Sequence, residues 1–372
     1  MTTKKKLLFV VQNATPFQSG RAKQALSIAE QLRLRGICVD VLSLDYESTS
    51  IQIEGVHYRR SIYHARSNYV FLIALCCIKR YHAVHFHGFN YLVGMSNVLR
   101  LLGMRCVLNM SCKSYDTPAT LTSFAWLGKW QRRALKKLDY WIVQNKSDLH
   151  EEFHTVYLPN MVAMPKKLSP WQQREQVILN IGVICPRKGQ LDVIKEFKNK
   201  PRLIQEGWKL MLCGSYSNDY EEYDKTYVDA CLELAKNDSS ICFTGHLNSD
   251  ELSDLIGRSR CFTAMSKHEG LSNAYLECLA HGLRPIINAD KHDDLFTELA
   301  LVDASLHWHP DDNVDERFFD DNWNDAELVD AVRTRFSASA IVPRLITMYL
   351  HNKPSLRTER TSLKSAWINK WG

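Results

Sequence analysis

The sequence predicts an α/β fold of two doubly wound parallel-sheet domains facing across a cleft. Three observations carry that expectation. The chain has 372 residues, room for two cores of ordinary size. Strand-like apolar runs alternate with segments of helical periodicity along most of it, the pattern of parallel strands joined by crossover helices. The alternation stops once, over 161–176 (MVAMPKKLSPWQQREQ), where prolines and charge replace it, and then resumes.

In the first series, 6–12 reads as a buried strand, 22–35 as a helix stopped by Gly36, and 37–44 as the next strand. A helix over 69–79, a strand at 83–87 and a helix at 91–102 follow, then strands at 104–110, 140–144 and near Val156. After the break come strand 177–184, helix 190–197, strand 208–213, helix 223–235, strand 241–245, helix 249–258 and strand 261–265. A helix from about Asn273 and a strand at 284–287 complete the second series. The expected domains are 1–165 and 166–350, with a tail at 351–372 free to pack back on the first domain. Ligands of such sheets bind outside the carboxyl ends of the strands, here in the cleft.

Apolar residues make up 45% and charged residues 24% of the chain, which excludes a disordered polymer. The longest apolar run, YVFLIALCCI at 69–78, is about half of the roughly 20 residues that cross a bilayer. The basic start MTTKKKLLFVVQN lacks a small-residue cleavage pattern and reads as the first strand. Eleven cysteines are scattered without a CxxC pair or zinc spacing, which fits reduced thiols and a cytoplasmic protein. Charge is uneven: residues 1–165 carry 21 basic and 10 acidic side chains, residues 166–372 carry 26 and 31. The basic half implies an anionic partner. Residues 126–137, WLGKWQRRALKK, place five cations (Lys129, Arg132, Arg133, Lys136, Lys137) beside two tryptophans, which suits an anionic membrane surface rather than nucleic acid.

Residues 266–285 read SKHEGLSNAYLECLAHGLRP. Ser272 is placed to N-cap a helix from Asn273, and Gly282 to stop it. The free N–H groups and positive end of that helix favour a diphosphate in the cleft, with Glu269 before the helix and Glu277 within it able to reach one ligand from two sides. Upstream, Arg187 and Lys188 follow a strand and precede Gly189, two cations suited to a departing diphosphate.

The first of these segments resembles the E-G-x-x-N-x-x-L-E-A-x-A-x-G-x-P signature of glycosyltransferase family 4, of the group 1 type. Glu269, Gly270, Asn273, Leu276, Glu277, Ala280, Gly282 and Pro285 match it, and Cys278 replaces a small residue. The second resembles the family's G-R-x-x-x-x-K-G loop. Leu212-Cys213-Gly214 and Phe243-Thr244-Gly245-His246 resemble its strand ends around the nucleotide. The resemblance implies a GT-B fold of two Rossmann-like domains, acceptor-binding at 1–165 and nucleotide-sugar-binding at 166–350. It implies a retaining transferase that uses a UDP- or GDP-sugar, a glycan or lipid-linked acceptor and no cofactor or divalent metal, with surface polysaccharide assembly as the setting. Arg187, Lys188 and Glu269 would be catalytic, Glu269 on hydroxyls of the transferred sugar. Gly214, His246, Gly270, Leu271, Ser272, Asn273 and Glu277 would hold the donor, Glu277 through the ribose.

The first domain departs from the pattern. Ser19-Gly20 stands where the family has Gly-Gly, leaving Ser19 and the Gly20 amide for the donor. His85-Phe86-His87-Gly88 ends a strand with both imidazoles on one face and resembles the family's H-x-H-G, which implies His87 as an acceptor contact; no third ligand for a metal lies nearby in sequence. Asn109-Met110-Ser111-Cys112 replaces a T-x-H-G, and Pro159-Asn160-Met161 a P-N-G. No strand is followed by G-x-G-x-x-G, against a nicotinamide dehydrogenase, and Asp293-Asp294 and Asp311-Asp312 lack the D-x-D spacing of a metal-dependent GT-A transferase. A catalytically silent binding protein and a nucleotide-sugar epimerase remain the alternatives on the same fold.

Overall fold

A computed structural model describes residues 5–14, 20–46, 52–110, 117–123, 127–217, 223–266, 271–288, 299, 305–308, 313–320 and 323–350. The chain begins with β1 (Lys6–Gln12), α1 (Gly20–Arg33), β2 (Cys38–Asp45), β3 (Tyr58–Ser61), α2 (Ala65–Lys79) and β4 (Ala83–His87). It continues with a 3-10 turn at Tyr91–Met95, α3 (Ser96–Leu101), β5 (Arg105–Asn109), α4 (Pro118–Ser123), α5 (Lys129–Lys136), β6 (Tyr140–Val143) and β7 (Thr155–Tyr157). These seven strands form one sheet in the order β3-β2-β1-β4-β5-β6-β7, with every neighbouring pair parallel.

Why β1 takes a central place is visible in its side chains. Leu8 and Val10 belong to one buried cluster, Leu7, Phe9 and Val11 to the other. Alternate residues serve opposite faces, so a continuous apolar run needs helices on both sides of the sheet. Helix α1 supplies one cover through Ala22, Ala25, Ile28, Ala29 and Leu32.

The second series is β8 (Glu175–Ile181), α6 (Gln190–Lys198), α7 (Pro201–Gln205), β9 (Lys209–Cys213), α8 (Lys225–Ala235), β10 (Ile241–Gly245), α9 (Ser249–Arg258) and β11 (Ser259–Thr263). It ends with α10 (Asn273–Ala280), β12 (Arg284–Asn288), β13 (Leu306–Trp308), α11 (Asp325–Phe336) and α12 (Ala338–Leu350). Its sheet runs β10-β9-β8-β11-β12-β13, again all parallel. The expectation of two doubly wound parallel sheets is met.

Some elements differ from the sequence expectation. The helix expected over 91–102 is split, because the Asn90 side chain accepts from the Leu92 N–H and starts a tight 3-10 turn before α3. Elements β3, α4, α5, α7, β13, α11 and α12 were not anticipated. The last is the most consequential. Helix α12 packs on the N-terminal sheet through Ile341, Val342, Leu345, Met348 and Tyr349, within the range assigned from sequence to the C-terminal domain. Arg344 donates to the Tyr157 carbonyl (2.7 Å) and Arg105 to that of Met348 (2.9 Å). The two chain crossings lie side by side, since the Val162 N–H donates to the Phe336 carbonyl at 2.9 Å. The tail at 351–372 lies outside the described residues. Among the described residues no helix is long and apolar enough to cross a membrane.

Candidate active site

Each sheet reverses its winding direction once. In the C-terminal sheet the reversal falls between β8 and β11, in the N-terminal one between β1 and β4. Such points open a crevice at the strands' carboxyl ends, where ligands of open α/β sheets bind.

Three glycines shape the C-terminal crevice. The Gly182 N–H donates to the Cys213 carbonyl (2.8 Å) and the Gly214 N–H to that of Gly245 (3.0 Å), carrying the pairing past the ends of β8, β9 and β10. A Cβ at Gly214 would collide with the Gly182 carbonyl, so only glycine lets these ends close up. Gly189 has φ 71°, and a Cβ there would strike the Met265 carbonyl beyond β11. This close approach sets Arg187 and Lys188 beside the switch point, both half-buried. The stem of Lys188 lies over Gly182, its Cε 3.2 Å from where a Cβ would stand. The loop is clamped by Gln190, whose amide donates to the Val183 carbonyl (2.9 Å) and accepts from the Cys185 N–H (3.3 Å). Sequence reasoning missed Gln190; its signal is a buried amide at the first position of a helix.

Helix α10 starts across the crevice. Ser272 occupies its N-cap position, but the Ser272 side chain makes no capping hydrogen bond, contrary to the sequence expectation. The Ser272 side chain therefore leaves the N–H groups of Asn273 and Ala274 to a ligand. Asn273 takes over the local bracing: its Nδ2 donates to the Gly20 carbonyl (3.0 Å), and its Oδ1 accepts from Gln24 (3.0 Å) and Asn160 (2.9 Å). Asn160 also donates to the Leu271 carbonyl (2.7 Å) and accepts from Gln144 (2.6 Å), whose own oxygen accepts from the Leu271 N–H (3.3 Å). Four amide side chains thus tie the two domains at the cleft. Gln24 and Gln144 were not legible as site residues, although each is a polar residue at a buried position, 8% exposed.

The amino ends of α1 and α10 consequently meet, and neither first turn carries an acid. Two positive helix ends facing one another repel, and an anion between them would relieve it. Glu277 forms an ion pair with Lys23 of α1 at 2.7 Å, its side chain 25% exposed. Gly20, Asn273, Leu271, Ser272 and Glu277 are therefore brought together, with Arg187 and Lys188 at the facing strand end. Gly214 and His246 lie farther along the same edge, at the ends of β9 and β10. Ser19, Glu269 and Gly270 lie outside the described residues, as do Ser111 and Trp126.

In the N-terminal crevice His85 and His87 share one face as expected, with ring centroids 4.0 Å apart. His87 does not open to the cleft surface; it is 2% exposed and packs 4.7 Å from the Phe9 ring. Burial lowers its pKa to about 3, and burial together with the neighbouring His87 holds His85 well below the usual range, so both rings are neutral. The Tyr349 hydroxyl and His85 Nδ1 share a hydrogen bond of 2.6 Å, which no local sequence signal announces. Among the described residues, no group of three or more His, Cys, Asp or Glu side chains is placed to hold a metal ion.

Residues 166–292 match the model of a family described as "Glycosyl transferases group 1". No curated protein sequence matches the chain. Among solved structures, sucrose-phosphate synthase from Thermosynechococcus elongatus is similar at 13% identity, covering 93% of this chain and 98% of its own, with a TM-score of 0.70. HepE of Anabaena, solved with UDP and glucose, is similar at 14% identity over 94% and 100% of the two chains, TM-score 0.65. TarM of S. aureus, a mutant solved with UDP and a sugar ligand, is similar at 8% identity over 93% and 100%, TM-score 0.63. At these identities the likeness shows the fold, which is GT-B.

Proposed function

We propose that the protein is a retaining glycosyltransferase of family 4, moving a hexose from a UDP- or GDP-sugar to a glycan or lipid-linked acceptor. The observation that carries this is the meeting of the amino ends of α1 and α10 at the cleft, in a fold whose neighbouring switch point carries Arg187 and Lys188; together they suit a diphosphate. The family match over 166–292 includes Arg187, Lys188 and α10, the C-terminal part of that cradle. In the reaction the bond from the anomeric carbon to the diphosphate breaks while the acceptor oxygen bonds that carbon on the same face. The acceptor proton passes to the departing phosphate. Arg187, Lys188 and the start of α10 stabilise the charge that grows on it. Glu269 holds the sugar hydroxyls and Glu277 the ribose, once donor binding displaces Lys23.

Surface polysaccharide assembly at the inner face of the cell membrane is the setting this reading favours. Its support is helix α5, where Lys129, Trp130, Arg133 and Lys136 are exposed, Trp130 by 53%, with Leu101 of neighbouring α3 exposed by 88%. Anionic vesicles should bind the protein, and neutralising the five cations of 129–137 should release it.

One observation favours a second reading. Glu277 is occupied by Lys23, which suits a silent binding protein on the same fold. A panel of UDP-, GDP- and ADP-sugars in excess EDTA separates the two. Thermal stabilisation by one donor with release of its nucleoside diphosphate supports the transferase, and NMR of the product should show retained anomeric configuration. Stabilisation without any release supports the silent binder, and rescue only by added magnesium or manganese counts against the metal-free cradle.

A further inference from the structure

The backbone that leads into α10 is held from the other domain. The Leu271 N–H donates to Gln144 Oε1 (3.3 Å), and the Leu271 carbonyl accepts from Asn160 Nδ2 (2.7 Å). Gln144 follows β6 and Asn160 follows β7, so both side chains arise from the N-terminal sheet. Asn273, the first residue of α10, donates to the Gly20 carbonyl (3.0 Å) and accepts from Gln24 (3.0 Å) and Asn160 (2.9 Å). Gly20 and Gln24 belong to α1. All five of these bonds cross between the domains.

Gln24 joins this contact to the place where the chain first crosses. Its Oε1 accepts from the Met161 N–H (3.2 Å), and its Nε2 donates to the Met161 carbonyl (2.5 Å) as well as to Asn273. The next residue, Val162, bonds the Phe336 carbonyl on the return crossing. Both amide protons of Gln24 are thereby used, and both of Asn160, while Asn160 Oδ1 accepts from Gln144 (2.6 Å). Gln24, Gln144 and Asn160 are buried. A buried network of this kind is satisfied only while the two domains touch, and parting them breaks it as a unit.

We propose that these amides are a latch. Through Leu271 and Asn273 the N-terminal domain sets the position of the α10 amino end, with Gln24, Gln144 and Asn160 as positioning residues. The diphosphate side of the cleft is therefore complete only in the closed molecule, and the latch keeps that state populated before any nucleotide arrives. A ligand that binds only the closed state has an apparent Kd equal to the intrinsic one divided by the closed fraction. Loosening the latch raises the Kd and the donor KM by one common factor. Turnover at saturating donor stays near the wild-type value, because bound donor restores closure. The nucleotide part of this proposal rests on the reading of the protein as a nucleotide-sugar transferase; the closure itself does not.

Asn160→Asp tests it at nearly constant shape, since it sets a carboxylate oxygen, an acceptor, against the Leu271 carbonyl and Asn273 Oδ1 in place of an N–H. Small-angle X-ray scattering of the full, nucleotide-free chain should show a larger radius of gyration than the wild type. Hydrogen exchange over 271–280 should be faster. In calorimetry with UDP and GDP, whichever binds the wild type should bind Asn160→Asp about tenfold or more weakly. The donor KM should rise by the same factor with kcat close to the wild-type value. Gln144→Met, which removes the bonds to Leu271 and Asn160 without adding charge, should move every reading the same way by less, and it decides the matter if Asn160→Asp does not fold. An unchanged radius of gyration or unchanged exchange in the folded variant overturns the latch. So does domain opening with nucleotide affinity intact, or a fall in kcat with the KM unmoved. If neither nucleotide binds the wild type, the transferase reading fails and scattering with exchange decides the latch alone: opening together with faster exchange sustains it, and either one unchanged overturns it.

Discussion

The two sides of the cleft are built in opposite ways. At the ends of β8, β9 and β10 the surface is backbone: glycines at 182, 189 and 214 bring strand ends and a loop within contact distance, and a helix start supplies N–H groups. At the end of β4 the layer under the cleft is buried side chain: two stacked imidazoles, a phenyl ring, an amide and a tyrosine carried in from α12. Backbone geometry of the first kind can receive any diphosphate, because it reads charge and shape. Side chains of the second kind are closed off and pack as core, His85 being 1% and His87 2% exposed.

The comparison is most exposed at Lys188, the charge added to the backbone cradle. Lys188→Ala is expected to lower turnover by roughly 10²–10³, about 3–4 kcal/mol of transition-state stabilisation, with little change in melting temperature. Lys188→Arg should recover only part, since a planar fork does not replace a compact ammonium. Near-normal nucleoside diphosphate release by Lys188→Ala at saturating donor would remove the lysine from the mechanism and leave the cradle as backbone alone.

Gly214 tests the backbone itself. A methyl group there meets the Gly182 carbonyl, so Gly214→Ala should cost ~1–3 kcal/mol in urea unfolding and weaken nucleotide binding in calorimetry. An unchanged midpoint with unchanged affinity would show that the strand ends have room the structure denies them.

The histidine side should answer to pH. The unfolded chain titrates His87 near 6.5, while burial holds it at about 3 in the fold. Between those values the unfolded state binds a proton that the folded state refuses. The stability tied to neutral His87 is therefore complete above about 6.5 and is lost as pH falls toward about 3, by up to ~1.4 kcal/mol per pH unit. His85 acts in the same direction. Urea unfolding at pH 7 and pH 5 should show the loss, and His87→Gln should make the slope shallower. An equal slope in that variant would place the acid sensitivity elsewhere.

The smallest effect is expected at the ion pair that joins the two sides. Lys23 is 44% and Glu277 25% exposed, a pair worth ~0.2–1 kcal/mol. Lys23→Met should leave stability within that range and lower the KM for donor severalfold at most, by freeing Glu277 for the ribose. A large rise in KM would instead make Lys23 a donor contact.

Hydrophobic periodicity and the glycine punctuation of strand ends were enough to read both parallel sheets from the sequence, because both are local properties of the chain. The same holds for Asn273 and Glu277, which stand at a helix start bounded by Ser272 and Gly282, and for Arg187 and Lys188 at a strand end. Tertiary structure alone decided what depends on residues far apart. The amides of Gln24, Gln144, Asn160 and Asn273 meet only once two domains close on each other. Tyr349 reaches His85 across 264 positions because α12 crosses back to the first sheet. A side chain's hydrogen-bond partner is set by where the backbone carries it, and a short window of sequence holds no record of that path.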